Sequence, residues 1–386
     1  MSGIRPTWWE FEHGNGSSNP ELALHAPDGA PAFERAIAED ATMLQPAHPL
    51  SLPLMTATLN DVAKLAKVSP ITVSRVLNHP HMVSEKTARR VRNAIAKTGY
   101  VPNLLAGGLV SQRSRLVIVV IPTIGHRAFV DTVSLLAQRL AEHRYQLLLC
   151  QAGYSGQAEA DLIDGILARR PDGLVLTTPL RSAAAREKLV ARGVPVVETW
   201  QLTHDPVDCL VGFSHQAAGT AMARFLIERG HRHIALIWAS DIRAQWRFDA
   251  CTSALADAGV EPVAVERVDV PVQVGFGRQA MARILDSGAA PDGVLCSIDL
   301  LAQGALAELQ ARGRRVPEDI AVMGFGDLEF AADLHPRLTS VRIDGASIGS
   351  LAAELILRRI EGLAGRGEER IDVGFEIVER ESTRAQ

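Results

Sequence analysis

Thr58 to Asn78 reads TLNDVAKLAKVSPITVSRVLN, two short helices with a tight break between them. Thr58 is placed to cap the first helix, and Asp61 suits its positive end. Leu59, Val62, Ala63 and Ala66 recur at helical spacing and predict one apolar face. Lys67-Val68 breaks the run. Ser69 then stands where an N-cap belongs, and Pro70 takes the first helical position, where its missing N–H costs nothing. Val73, Val76 and Leu77 are expected to face inward. That leaves Pro70, Ile71, Thr72, Ser74, Arg75 and Asn78 for the outside or its margins. This is the layout of a helix-turn-helix, whose second helix enters the DNA major groove.

Helix pattern alone would fit any αα-hairpin; charge separates the two readings. Residues 56–115 carry a net charge of +8, residues 1–55 carry −5 and residues 116–386 carry −7. One small segment therefore holds all the positive charge, as a polyanion-binding domain on an acidic body would.

Working outward, residues 1–55 mix Trp8-Trp9, a Gly/Ser/Asn stretch, prolines and scattered acids, and are expected to be a disordered leader. Met55 directly precedes the patterned region and is a second candidate start. After Asn78 comes a turn, then a third helix capped by Ser84 and ended by Thr98-Gly99. The apolar, glycine-weakened 104–109 should be a poor helix that orders only against a partner. This organises the chain as a helix-turn-helix domain over 56–103, a hinge over 104–115 and a body over 116–386.

In the body, apolar strands alternate with amphipathic helices. Strands are predicted at 116–121, 146–150, 173–177, 194–198, 234–238, 263–268, 293–297 and 320–324, with 207–211 as a further candidate. Helices are predicted at 129–143, 157–169, 182–192, 215–229, 247–258, 276–287, 299–312 and 345–362. Such alternation means parallel sheets covered on both faces, and there are too many units for one sheet, so two α/β lobes are expected. Ligands then sit at the carboxyl ends of the strands, in the cleft between lobes.

The 386 residues suit two or three domains, and 47% apolar content suffices for a sizeable core. Cys150, Cys209, Cys251 and Cys296 lie far apart in or near apolar stretches and read as buried free thiols of a reducing compartment. No signal peptide is recognisable, and the apolar run 116–122 is too short to span a bilayer. A soluble, cytoplasmic protein without membrane contact is expected. No GxGxxG follows a first strand, and GxxxxGK[ST], HExxH and GxSxG are absent, so no enzyme and no cofactor is expected. His231 and His233 fit a turn or packing role, and no metal is expected.

The helical stretch, the following VSEKTARRV and GYVPN, and body segments such as RSRLVIVVIP, PDGLVLT, GVPVVE, ERGHRHIALI, VPEDIAVMGFGD and HPRLTSVRID stand in one order. In that order the chain resembles the lactose-repressor (LacI/GalR) family of bacterial transcription regulators, over 57–380. VVETW and VGFSHQAAGTAMARFLIERGHRHIA look most like the family's gluconate and ketogluconate repressors.

The resemblance implies a homodimer with paired DNA heads on an inverted-repeat operator, hinge helices, and a two-lobed effector domain similar to periplasmic sugar-binding proteins. The lobes would interleave, the first holding 116–213 and 341–363 and the second 214–340 and 364–380. Pro70, Ile71 and Arg75 would occupy base-reading positions, with Arg75 suited to a bidentate contact to guanine. Thr58, Ser69, Thr72, Ser74 and Asn78 would serve as phosphate contacts or caps. Leu109 falls at the family's hinge leucine, which wedges between base pairs.

For the effector, the likeness implies Arg127, Arg181, Glu198, Trp200, Arg247, Asp299 and Asp327, with Arg247 at the family's gripping arginine. Ala250 replaces a usual glycine, Ile298 a hydrogen-bonding residue, and Gly326 a common aspartate. The last two changes remove polar groups that bind a neutral hexose, while arginine forks suit a carboxylate. A repressor of sugar-acid metabolism genes is expected. The competing readings are a sugar or sugar-acid binding or transport module, which leaves the basic head unexplained, a transcriptional activator, and an enzyme.

Overall fold

The computed structural model describes residues 57–101, 113–125, 127–154, 159–365, 367 and 369–384. The expected leader, most of the hinge and Leu109 lie outside the described residues. The chain divides into two compact units at Pro102–Asn103.

The first unit is all helical: α1 (Leu59–Ala66), α2 (Pro70–Asn78) and α3 (Glu85–Thr98). Thr58 and Asp61 close a full capping box, the Asp61 N–H donating to Thr58 Oγ1 at 3.3 Å and the Thr58 N–H to Asp61 Oδ2 at 2.9 Å. Lys67 ends α1 in the left-handed region, with φ 51°. Arg90 of α3 donates to the carbonyls of Ala66 and Lys67, so the third helix holds the break between the first two. Ser69 caps α2 by accepting the Thr72 N–H. Ser84 stands at the N-cap of α3 as expected, but its hydroxyl donates to Thr87 Oγ1 instead of capping the backbone.

Val62, Ala63, Ala66, Val73, Val76, Ala88, Val91 and Ala94 form the core. It is too small to tolerate much loss. Thr58→Ala should therefore lower the stability of this unit by about 1 kcal/mol, seen as an earlier helical melting transition by circular dichroism.

The second unit holds two six-stranded sheets. The first is ordered β11-β5-β4-β3-β1-β2 and is parallel throughout. Its strands are β1 (Leu116–Ile121), β2 (Gln146–Gln151), β3 (Gly173–Leu176), β4 (Val196–Thr199), β5 (Cys209–Gly212) and β11 (Arg370–Asp372). Helices α4 (Val130–Glu142), α5 (Glu159–Ala168), α6 (Ala183–Arg192) and α11 (Gly345–Glu361) cover it. Strand β1 is buried on both faces: Val117, Val119 and Ile121 join one apolar cluster, Ile118 and Val120 another. That is why its sequence is a continuous apolar run.

The second sheet is ordered β12-β10-β9-β8-β6-β7. It comprises β6 (Ile234–Ala239), β7 (Ala264–Val268), β8 (Gly293–Cys296), β9 (Ala321–Gly326), β10 (Thr339–Arg342) and β12 (Glu376–Val378), the last antiparallel to β10. Its helices are α7 (His215–Glu228), α8 (Ile242–Asp257), α9 (Val274–Asp286) and α10 (Asp299–Ala311).

The chain passes between lobes after β5, after β10 and between β11 and β12. Two features differ from what the sequence leads one to expect. The family resemblance assigns 364–380 to the second lobe, yet β11 pairs with β5 on the edge of the first sheet and only β12 joins the second. A three-residue edge strand with charged ends carries too little periodicity to reveal its partner. The pattern also starts α8 at 247, whereas the helix begins at Ile242, because Asp241 caps it by accepting the N–H groups of Arg243 and Ala244, each at 3.0 Å. All four cysteines are free; Cys209, Cys251 and Cys296 are buried and Cys150 is half-buried. Among the described residues no helix is long and apolar enough to cross a membrane.

Candidate functional site

In the first unit the exposed face of α2 carries Pro70, Ile71 and Arg75. Ile71 is 64% exposed, so this apolar side chain in the first helical turn is not part of the core. Thr72 and Ser74 are half-buried at the margin. The Thr58 and Ser69 hydroxyls are engaged as caps; that of Thr58 also donates to Asp61 at 2.7 Å, and that of Ser69 bonds the Thr72 hydroxyl at 2.9 Å. Lys64, Lys67, Lys86, Arg89 and Lys97 are exposed elsewhere on this unit, Lys64 and Lys67 beside Ser69 and Pro70.

In the second unit a cavity of about 290 Å³ opens where the carboxyl ends of the two sheets face each other. Its lining follows strand ends: Pro122 and Thr123 after β1, Thr178 after β3, Trp200 after β4, Asp241 after β6, Ser297 after β8, and Phe325 and Gly326 at the end of β9. Gly326 has φ +117°, a conformation closed to an aspartate.

Arg127, Arg181, Trp200 and Arg247 line the cavity. Arg127 pairs across the lobes with Glu329 at 3.0 Å, and Arg181 donates to the Tyr154 carbonyl. Trp200 has φ 67° and is held by packing: its indole donates to Thr132 Oγ1 at 3.1 Å, and Phe129 meets it edge-on at 5.1 Å. Arg247 is buried, donates to the Ser297 carbonyl at 3.0 Å and lies 3.9 Å from the centre of the Phe325 ring.

His215 joins the lobes. One ring nitrogen, Nε2, is 2.8 Å from the Trp200 carbonyl, and the other, Nδ1, is 2.9 Å from an Arg247 Nη. A carbonyl only accepts and a guanidinium only donates, so the proton sits on Nε2. Burial, with Arg247 and Arg243 beside it, holds the imidazole well below its usual range and therefore neutral.

Glu198, Asp299 and Asp327 do not line the cavity. Glu198 accepts the Val207 N–H at 2.7 Å and the Gln201 amide at 3.4 Å. Asp327 is held by Arg342 and Arg380, each at 2.6 Å. Asp299 accepts the Leu328 N–H at 2.7 Å and the Ser340 hydroxyl at 2.6 Å. A buried carboxylate requires donors, and in each case the nearest are loop amides, a side-chain hydroxyl or amide, or arginines of the same lobe.

Burial pushes the Asp299 carboxyl up to about 7. With a folded value above the unfolded one, the native state keeps a proton that the unfolded chain releases. The contribution of this group is thus full below about pH 4 and falls as pH rises toward 7. Asp299→Asn should flatten that part of the stability profile, measured by denaturant unfolding between pH 5 and 7.

Sequence reasoning missed Arg243, which also lines the cavity. It sits one turn before Arg247 on α8, buried beneath the cleft, and donates to the carbonyls of Thr177 at 2.6 Å and Thr199 at 2.8 Å. Asp241 was the available signal: reading it as an N-cap extends α8 back over Arg243 and places both arginines on one face. Burial brings Arg243 down to about 9 and Arg247 to about 10. Among the described residues neither forms an ion pair with a carboxylate, and the Nε of each is buried without a hydrogen-bond partner. Asp241 favours the charge of both arginines and Glu198 that of Arg243, without pairing with either; burial still outweighs them, and a further anion at the cavity would offset that cost. Thr123, Thr178, Asp241, Gln273 and Ser297 supply polar groups around the same space, suited to hydroxyls.

The comparisons agree with this geometry. Residues 58–103 match the model of bacterial regulatory proteins, lacI family, and residues 223–383 match a periplasmic binding protein-like domain. The HTH-type transcriptional regulator GntR of Pseudomonas aeruginosa is 39% identical over 328 residues, covering 84% of this chain and 95% of the relative. A LacI-family regulator structure from Silicibacter pomeroyi superposes with a TM-score of 0.80 at 33% identity, covering 85% of this chain and all of that one. The lac repressor dimer bound to operator and the anti-inducer ONPF gives a TM-score of 0.76 at 28% identity, covering 85% of this chain and 99% of that one.

A helix-turn-helix unit followed by a two-lobed binding-protein-like unit defines a DNA-binding transcriptional regulator with an effector domain. The chain belongs to the lacI family of bacterial regulatory proteins.

Proposed function

We propose that this regulator represses genes of sugar-acid metabolism, binding an inverted-repeat operator as a homodimer in the cytoplasm and taking a gluconate-type acid into the cleft of its second unit. The observation that carries the ligand class is the pair Arg243 and Arg247, buried at one cavity and, among the described residues, in no ion pair with a carboxylate, Asp241 acting on both only at longer range. A ligand carboxylate supplies the missing anion, and surrounding hydroxyl and amide groups take the polyol chain. Arg127, Arg181 and Trp200 complete the effector site. The similarity to regulators named GntR supports the same reading.

On DNA, Arg75 contacts guanine, Pro70 and Ile71 offer apolar contact to bases, and Thr72, Ser74 and Asn78 face phosphates beside the capped ends at Thr58 and Ser69. Leu109 wedges the minor groove at the operator centre. Repression rather than activation follows from the operator's position, which a footprint of the upstream region would map.

The test is a gel-shift assay on that operator with gluconate, ketogluconate, a sugar phosphate and glucose. Sugar acids should change operator affinity and glucose should not. An unchanged affinity across all the acids refutes the ligand class, and a response to the sugar phosphate alone transfers the site to phosphorylated ligands.

A further inference from the structure

Arg243 and Arg247 are the same residue type, one turn apart on one helix, but they reach into different lobes. Arg247 bonds the Ser297 and Arg243 carbonyls and His215 of α7, all within the second lobe or at its first crossing. Arg243 crosses the cleft. Its Nη1 donates to the Thr177 carbonyl and its Nη2 to the Thr199 carbonyl, just beyond β3 and at the end of β4 in the first lobe, with Gln201 Oε1 a further acceptor at 3.5 Å. The Arg127–Glu329 ion pair, which also links the lobes, is 59% and 84% exposed and contributes little in water. Arg243 is 9% exposed, where a hydrogen-bonded charge counts for more.

We propose that Arg243 is the positioning residue that turns effector occupancy into lobe closure, while Arg247 supplies affinity without that coupling. The proposal rests on the anionic-ligand reading above. A ligand shifts a conformational equilibrium only through the difference in its affinity for the two states. A carboxylate held by Arg247 keeps that contact whether the lobes meet or part, because Ser297 and Phe325 move with Arg247 and its link toward the first lobe is indirect, through His215 to the Trp200 carbonyl. Arg243 engages first-lobe acceptors only when the lobes meet. An anion beside it offsets the cost of burying its charge in that arrangement and has nothing equivalent to offset once the guanidinium is solvated. The closed state is thereby favoured through Arg243.

The experiment uses the full chain. Spin labels at Glu187→Cys in α6 and Gln279→Cys in α9, in a Cys150→Ser background, report the distance between lobes by electron–electron resonance. Operator affinity is measured with and without saturating gluconate, and gluconate binding by calorimetry, for wild type, Arg243→Gln, Arg243→Lys and Arg247→Lys. Arg243→Lys keeps the charge but cannot bridge both carbonyls, so it carries the test if the glutamine variant folds poorly.

Both Arg243 variants should show a longer, broader distance distribution before gluconate is added. Saturating gluconate should leave that distribution unmoved and change their operator affinity by less than about twofold, against a wild-type ratio of about 5- to 150-fold. Arg247→Lys should need more gluconate yet reach the wild-type ratio. A wild-type ratio in the Arg243 variants, or its loss in Arg243 and Arg247 variants alike, overturns the assignment. If wild type binds no sugar acid, the ligand reading fails on its own. The distances without gluconate then still decide the clasp: lengthening in the Arg243 variants supports it and no change overturns it.

Discussion

Arg247→Gln should remove most of the effector affinity. Its guanidinium is buried, bonded to the Ser297 carbonyl and His215, and lies against the Phe325 ring. Truncating one partner of a desolvated charge pair costs about 2–5 kcal/mol, or roughly 30- to 5,000-fold in affinity. Glutamine keeps a donor for the Ser297 carbonyl but removes the charge, so a loss of this size assigns the effect to electrostatics. Calorimetric titration with gluconate measures it. His215, already neutral, and the two arginines should give the binding little pH dependence between pH 6 and 8, so a change over that interval reports Asp299, whose carboxyl, pushed up to about 7, accepts the N–H of the cavity-lining Leu328. Wild-type affinity in Arg247→Gln would remove the anionic site from the account.

The second large effect is expected at the other end of the chain. Arg75 is exposed on α2 with Pro70 and Ile71 on the same helix. A bidentate arginine–guanine contact is worth about 1–3 kcal/mol of base discrimination, so Arg75→Ala should weaken operator binding by roughly 5- to 150-fold. Binding to scrambled duplex should weaken far less, and the preference between the two should shrink. Fluorescence anisotropy on both duplexes at fixed salt separates this from loss of a phosphate contact, which weakens both alike. Equal affinity of the variant and wild type for the operator would remove Arg75 from base reading.

The two units were legible in the sequence to different depths. In the first, nearly every decision is local. Thr58 with Asp61 and Ser69 with Pro70 are capping signals within one helical turn, and the apolar spacing selects the core directly. Arg90, which reaches back to the end of α1, is a tertiary addition that the pattern did not need. In the second unit, alternating apolar runs and amphipathic stretches marked the α/β lobes. The short edge strands β11 and β12 carried no signal able to say which sheet each would join.

Local periodicity and caps thus determined, from the sequence by itself, a basic helix-turn-helix and a parallel α/β body. Only the tertiary structure decided which polar side chains meet in the cleft. A residue just past a strand end points where its loop sends it, as the left-handed backbone of Trp200 and Asp327 illustrates. Where a charge settles depends on donors and acceptors distant in the chain: Asp299 on Ser340, Asp327 on Arg380, Arg243 on Thr177 and Thr199. Those partners are between 41 and 66 positions away, beyond any spacing rule, and they withdrew two carboxylates from the cleft while admitting one arginine that the pattern had passed over; Glu198 is instead held nearby, by Val207 and Gln201.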